Sequence, residues 1–202
     1  MFTGIISDIG TIRSIEHRGD LRAVVATAYD THGVDLGASI SCSGVCLTVI
    51  EKGPGWFTVD ISGETVSRTA QGQWSEGRKL NLERAMKLGD ELGGHIVTGH
   101  VDGVGEVLGV CPAGDSVRVG IAAPRALAPY LAAKGSITVD GVSLTVNEVE
   151  DQPDDTCHFA LNIIPHTGEV TTLGTLAQGD EVNLEIDVLA RYLKRMEALR
   201  AA

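Results

Sequence analysis

The sequence predicts an all-β protein: two similar antiparallel β-barrels in tandem, followed by a C-terminal α-helix. Three observations predict it. The first is an internal repeat. Ser43-Gly44-Val45-Cys46-Leu47-Thr48-Val49 returns as Asp140-Gly141-Val142-Ser143-Leu144-Thr145-Val146, and Gly37-Ala38-Ser39-Ile40 returns as Lys134-Gly135-Ser136-Ile137. Phe2–Ile6 answers Val97–Val101, Asp60–Thr65 answers Asn162–Thr167, and Gly77–Glu83 answers Gly179–Glu185. The order is kept and the offset only grows, the mark of a duplication whose second copy gained loop residues. The second observation is a series of short β-rich runs broken by turns; 25 glycines in 202 residues exceed the usual share of about 7%. Such runs favour small antiparallel barrels, although a pair of two-sheet sandwiches fits the periodicity equally. The third is the tail, where Leu189, Tyr192, Leu193, Met196 and Leu199 recur at helical spacing.

Composition bounds the rest. The repeat divides the 202 residues into units 1–90 and 91–187, with 188–202 as the helix. A hydrophobic content of 43% lets both units bury cores. A net charge of −11 argues against nucleic-acid and anionic-membrane partners. No apolar run approaches the about 18 residues of a membrane span. Met1-Phe2-Thr3-Gly4 has neither the basic region nor the apolar core of a signal peptide. The expected compartment is the cytoplasm, with Cys42, Cys46, Cys111 and Cys157 as reduced thiols in no CxxC pair.

Taken in order, Met1 to about Glu16 alternates loosely and Gly19-Asp20 turns it into Leu21–Ala26, which predicts a hairpin. Residues 30–37 read as loop. Ser39–Ile50 is β-rich, with Val45, Leu47 and Val49 on one face and Cys46 and Thr48 on the other. Lys52-Gly53-Pro54-Gly55 is a turn into the strand Trp56–Ile61, Glu64–Gln71 suits a short helix, and Lys79–Glu83 closes the unit. Gly89, Gly93 and Gly94 mark residues 85–96 as a turned connection. The second unit repeats the plan, with hairpin turns at Cys111–Asp115 and Gln152–Asp155 and an expected helix over Pro124–Ala133. Asp187 stands where the tail helix needs its N-cap. The apolar stripe of that helix has no core of its own to cover, so it is expected to pack on another subunit.

The copies differ at chemically loaded positions: Cys46 against Ser143, Ile5 against His100, Glu64 against His166. Cys46 reads either as a small buried hydrophobe or as a thiol at a pocket. Ser143 and Thr145 are ordinary β residues by composition. His95 and His100 lie too irregularly for a metal pair, and His100 fits better as a pocket base or hydrogen-bond donor. Gly103–Gly109 resembles a dinucleotide fingerprint, but its third glycine comes one residue late and no βαβ unit follows. The residues alone therefore reach a two-barrel protein with paired small-molecule pockets and an unspecified reaction.

A resemblance goes further. Met1-Phe2-Thr3-Gly4-Ile5, the Gly-Val-Cys-Leu-Thr-Val and Gly-Val-Ser-Leu-Thr-Val pair, Gly93–Val101 and Ile163-Ile164-Pro165-His166-Thr167 together resemble the riboflavin synthase (alpha chain) family over the whole chain. The resemblance implies two Greek-key barrels, each binding one 6,7-dimethyl-8-ribityllumazine. Two such molecules dismutate by transfer of a four-carbon unit, giving riboflavin and 5-amino-6-(D-ribitylamino)uracil. It implies no metal and no cofactor, a homotrimer held by the C-terminal helices, and it allows association with lumazine synthase. Carried over residue by residue, it places Gly4, Ile5 and Ile6, Ser39, Cys46, Leu47 and Thr48, and Asp60, Ile61, Ser62, Gly63, Glu64 and Thr65 at the first pocket. It places Gly99, His100 and Val101, Lys134, Ser143, Leu144 and Thr145, and Ile163, Ile164, Pro165, His166, Thr167 and Gly168 at the second. Its candidate catalytic set is Cys46, His100, Ser143, Thr145, Ser39 and Asp187. The competing expectation is a lumazine- or flavin-binding antenna protein without turnover; such proteins lose polar pocket residues in one half, whereas here Cys46, His100, Ser143 and Thr145 are all present.

Overall fold

A computed structural model describes residues 1–200; the last two positions of the expected tail helix, 201 and 202, lie outside the described residues. The first unit comprises β1 (Asp8–Arg18), β2 (Asp20–Ala26), β3 (Ser39–Cys42), β4 (Val45–Gly53), β5 (Trp56–Ile61), α1 (Gly63–Arg68) and β6 (Lys79–Arg84). These strands close into a barrel in the order β1-β2-β5-β4-β3-β6. The hairpin-connected β3, β4 and β5 lie beside β2, which is Greek-key order. Period-2 patterning builds the interior: Ile12, Val25, Ile40, Leu47, Val49, Phe57, Val59, Leu80 and Leu82 are all buried.

The second unit comprises β7 (Gly103–Ala113), β8 (Ser116–Pro124), β9 (Ser136–Val139), β10 (Val142–Thr145), β11 (Glu148–Asp151), β12 (Thr156–Ile163), α2 (Pro165–Val170) and β13 (Glu181–Ile186). Its sheet runs β10-β9-β13-β7-β8-β12-β11. The two barrels are thus less alike than the repeat predicts. The long β4 of the first unit is split here into β10 and β11, so the ladder is broken at Val146-Asn147 and chain connectivity joins the two sheet edges. The residues of the dinucleotide-like stretch belong to β7. Two further differences appear. Pro124–Ala133 forms a 3₁₀ turn over Arg125–Tyr130 instead of an α-helix, because Pro129 inside it supplies no amide donor. The first strand begins at Asp8, leaving Met1–Ser7 free to run between the units, where Phe2 bridges Val97.

The units meet around a pseudo-twofold axis. Ser43-Gly44 and Asp140-Gly141 have φ of 47° and 83°, and 47° and 78°, the both-positive pattern of a two-residue type I′ hairpin turn. The two turns face each other so closely that a Cβ on Gly141 would sit 2.6 Å from Gly44 N. Asparagines cross the seam reciprocally. Asn81 Nδ2 donates to Asp140 O (3.0 Å) and its Oδ1 accepts from Thr172 N (2.8 Å). Asn183 Nδ2 donates to Ser43 O (2.8 Å) and its Oδ1 accepts from Ala70 N (2.8 Å). Both asparagines are fully buried, so these bonds are what make their burial tolerable. The tail forms α3 (Val188–Arg200), capped as expected by Asp187, whose Oδ1 accepts from Leu189 N (2.9 Å). Among the described residues no helix is long and apolar enough to cross a membrane.

Within the seam one turn carries a cost. Ser43 Oγ accepts from Asn81 N (3.1 Å), and Asp140 Oδ1 does the same for Asn183 N (2.8 Å). Burial, partly countered by the Asn183 N–H, pushes the Asp140 carboxyl up to about 7. The folded state therefore holds this proton more tightly than the unfolded chain. The associated stability is present below the ordinary aspartate range and is lost as pH rises through about 7. Asp140→Ser copies the Ser43 turn and removes that dependence. Between about pH 5 and 8 its unfolding free energy should rise relative to wild type by about 2–3 kcal/mol, read by urea denaturation at each pH. Parallel pH profiles for the two proteins would show that Asp140 ionises freely.

Candidate functional site

In each unit the candidate pocket begins where a ladder stops. β4 and β5 pair from Gly53↔Trp56 to Val49↔Val59, beyond which Cys46–Thr48 and Asp60–Ser62 separate. Val49 bonds to the β3 side through Ala38 O and Gly37 N, so alternation turns the peptide groups of Cys46 and Thr48 toward the gap. The second unit repeats this: Val146 bonds to Gly135 and Lys134, leaving Ser143 and Thr145 facing a gap toward the end of β12. Along each gap the two strand edges do not pair with each other.

A third wall crosses over from the other unit. Gly99 O accepts from Cys46 N (2.8 Å), and Gly4 O accepts from Ser143 N (2.8 Å). Val101 packs against the first core and Ile6 against the second. This corrects the assignment of the arms: Gly4, Ile5 and Ile6 belong with the second pocket, and Gly99, His100 and Val101 with the first. Cys46 and His100 therefore share one site. Ser143, Thr145 and the Gly4–Ile6 arm share the other. A separate hollow of about 520 Å³ is lined by Ile6, Ser7, Asp8, Ile9, His166 and Val170. The approach requires glycine: a Cβ on Gly4 would lie 2.5 Å from Ser143 Cβ, and one on Gly99 would lie 2.7 Å from Cys46 Cβ.

Two carboxylates hold the arms. Glu83 Oε1 accepts from Thr3 N (2.7 Å) and Thr3 Oγ1 (2.8 Å), and its Oε2 from Gly4 N (2.9 Å). Glu185 accepts from Thr98 N (2.7 Å), Thr98 Oγ1 (2.6 Å), Gly99 N (2.9 Å) and His100 N (3.0 Å). Burial pushes the Glu83 carboxyl up against the pull of its three donors. Sequence reasoning did not single out either residue, although the repeated Asn81-Leu82-Glu83 and Asn183-Leu184-Glu185 carried the signal.

From the sequence, His95 reads only as an irregularly spaced metal candidate. Its Nδ1 lies 2.7 Å from Ser143 Oγ, while Nε2 is buried with no hydrogen-bond partner among the described residues. Burial pushes this imidazole below its usual range, and the carboxylates of Asp187 and Glu185 draw it partly back. A neutral ring with an unprotonated Nδ1 is able to accept the serine proton. Among the described residues no cluster of three or more His, Cys, Asp or Glu side chains is arranged for a metal ion.

The side chains of the other expected site residues make contacts of their own. Asp60 is clamped by Arg22 (2.8 and 3.0 Å), which holds its carboxyl below the usual range. Ser62 Oγ caps α1 by accepting from Thr65 N (3.1 Å), and Glu64 pairs with Arg68 (2.8 Å). Ile61 and Ile163 are buried, whereas Gly63, Ile164 and Pro165 are exposed, and Thr167 and Gly168 are half-buried in α2. Leu47 is part of the first core and Leu144 packs on the second. Ser39 pairs with Thr48 across β3 and β4. Lys134 is exposed with φ +70°, where its repeat partner is Gly37 at +85°, so a lysine occupies a left-handed position that glycine fills more cheaply.

The lumazine binding domain family model matches the chain twice, over residues 3–85 and 98–187. The riboflavin synthase of Brucella abortus (strain 2308) is 48% identical over 202 residues, covering 97% of this chain and 98% of that relative. The riboflavin synthase of Mycobacterium tuberculosis (strain ATCC 25618 / H37Rv) is 45% identical, with the same coverage. Among solved structures, LumP complexed with riboflavin superposes with a TM-score of 0.80 at 28% identity, covering 92% of this chain and 99% of that one.

The Glu185 clamp makes the arm testable. Glu185→Gln keeps the shape but turns an amide N–H toward backbone donors that need an acceptor. Stability should fall by about 2 kcal/mol in urea titration, and the amides of Thr98–His100 should exchange hydrogen faster than in wild type. Unchanged exchange at these amides would mean that the arm is held by its neighbours alone.

Proposed function

The chain belongs to the lumazine binding domain family, and from that premise we infer that its activity is that of a riboflavin synthase. Two 6,7-dimethyl-8-ribityllumazine molecules dismutate by transfer of a four-carbon unit. The products are riboflavin and 5-amino-6-(D-ribitylamino)uracil. The observation that carries this reading is the doubled, crossed site: each unit has a ladder gap closed by an arm of the other, as a reaction between two copies of one substrate requires. Incubating the pure protein with the lumazine and following riboflavin tests it. A protein that binds the lumazine without forming riboflavin is a binding protein, and the synthase reading fails.

The chemistry asks little of the chain. The C7 methyl of the lumazine is acidic because its anion is delocalised over the rings. The partner lumazine is attacked at an electrophilic ring carbon. Holding two large flat reactants in one pose supplies much of the rate. The gap-facing peptide groups of Thr48 and Thr145, beside the Cys46 and Ser143 amides that the arms already engage, suit the imide edge of a pteridine. Cys46 and His100 serve one substrate. Ser143, with His95 behind it, and Thr145 serve the other as proton carriers. The unequal side chains separate a donor site from an acceptor site. The four cysteines are all free thiols, which suits a cytoplasmic setting.

The assembly is a homotrimer held by α3. Leu189, Tyr192, Leu193, Met196 and Leu199 are each at least 50% exposed in the single chain, so the stripe finds no cover within it. The reacting pair then meets between the first unit of one subunit and the second unit of a neighbour. Removing residues 188–202 should yield monomers of intact barrel fold with weak activity. A truncated protein that still sediments as a trimer removes α3 from the interface.

Cys46→Ser and His100→Gln each change the proton chemistry while keeping size. A hydroxyl lacks the polarisable, more readily ionised thiol, and an amide exchanges no proton near neutral pH. Each should lower kcat by about tenfold or more with a nearly unchanged lumazine Kd, and the double variant should fall short of the product of the two effects. Wild-type turnover in both would make them packing residues; loss of lumazine binding in both would make them recognition residues.

A further inference from the structure

A second cavity lies on the pseudo-twofold axis, apart from both crossed sites. It has a volume of about 320 Å³ and is lined from the first unit by Ser43, Gln73, Arg78 and Lys79 and from the second by Asp140 and Asp180, among others. Its walls are related by the repeat, yet their charges are opposite. Arg78 stands where the second copy has Asp180, and Ser43 where it has Asp140. One wall is therefore cationic and the facing wall anionic. None of these four charged side chains is in an ion pair among those formed by the described residues.

Asp140 is the buried acid among the lining residues. It is 6% exposed, and its Oδ1 is used by Asn183 N. Ser43 performs the same turn-bonding role for Asn81 N with a single oxygen. The second carboxylate oxygen of Asp140 thus has no structural duty and no hydrogen-bond partner among the described residues, and the side chain that carries it lines the cavity. A carboxylate kept in a buried seam is costly unless something positively charged or hydrogen-bonding meets it.

We propose that the axial cavity is a binding site for a small zwitterion, whose ammonium group meets Asp140 while its anionic group meets Arg78 and Lys79. The charges facing Asp140 are Arg78 and Lys79 across the cavity and Asp180 beside it; Asp180 Oδ2 already accepts from Ala177 N (2.8 Å). That leaves Asp140 as the group with a free oxygen for an ammonium. Its carboxyl is protonated on the acid side of about 7, so the ammonium contact strengthens as pH rises through that value.

Taurine is the probe, because its ammonium and sulfonate stay charged between about pH 6 and 8. Ethanesulfonate and ethylamine each supply one end. Calorimetric titration of the full-length protein at pH 8 should give taurine a Kd about tenfold lower than either control. Asp140→Ser should bring taurine down to the level of ethanesulfonate, and Arg78→Gln to that of ethylamine. The exposed Arg78 makes the second variant safe for the fold if the first is unstable. In wild type the advantage of taurine over ethanesulfonate should shrink by several-fold at pH 6. Equal affinities for taurine and ethanesulfonate, no measurable taurine binding, or taurine binding unaffected by both substitutions would overturn the proposal. Riboflavin formation is a separate readout, so a failure here leaves the synthase reading untouched, and the reverse also holds.

Discussion

Two buried carboxylates decide where the functional surfaces lie. Glu83 and Glu185 sit at equivalent places on β6 and β13, and each is surrounded by the backbone and hydroxyl donors of a Thr-Gly arm. A carboxylate taken out of water is tolerated only with several donors around it. The arms supply those donors, so they are held in one position. The same positions put Gly4 O against Ser143 N and Gly99 O against Cys46 N. Anchoring by one unit and contact with the other are thus two ends of one short peptide. The shape of both gaps depends on that double attachment.

The seam asparagines enforce the same geometry from within. Each satisfies a turn carbonyl and a loop amide of the opposite unit, and both are fully buried. The units cannot slide without leaving buried polar groups unpaired, at about 1–3 kcal/mol apiece. A rigid seam fixes the shape of both gaps, because each is closed by an arm that crosses it. It also explains why the turn glycines Gly44 and Gly141 admit no side chain at their contact.

Much of this was legible in the sequence. The duplicated strands were readable because period-2 burial leaves a direct trace, as in Val45, Leu47 and Val49. The tail helix was readable from its 3.6 period and its Asp187 cap. The crossing of the arms was not. Phe2–Ile6 aligns with Val97–Val101 whether each arm serves its own unit or the other, since a repeat records similarity and not contact. The split of the second long strand at Val146-Asn147 left no comparable trace, because Val142–Thr145 and Glu148–Asp151 remain β-like on both sides. The 3₁₀ turn could have been read from Pro129, whose missing amide argues against a continuous helix. His95 leaves no such trace, because its partner Ser143 is far away in sequence and its spacing to His100 suits no metal site.

The crossed arms bear on why two units share one chain. A single unit has a gap and an arm, but its arm closes a gap elsewhere. Two identical units could satisfy each other symmetrically, and every pocket would then carry the same side chains. Covalent fusion removes that restriction. Cys46 and Ser143 occupy equivalent contacts, each donating its backbone N–H to the opposite arm, yet one presents a thiol and the other a hydroxyl bound to His95. Ile5 and His100 differ in the same way on the arms. The backbone scaffold is kept equal by Glu83 and Glu185, by the asparagines and by the glycine turns, while the side chains facing the gaps diverge. A reaction in which one lumazine gives and another receives needs two pockets of one shape and unlike chemistry. A fused, crossed pair supplies them without a second protein.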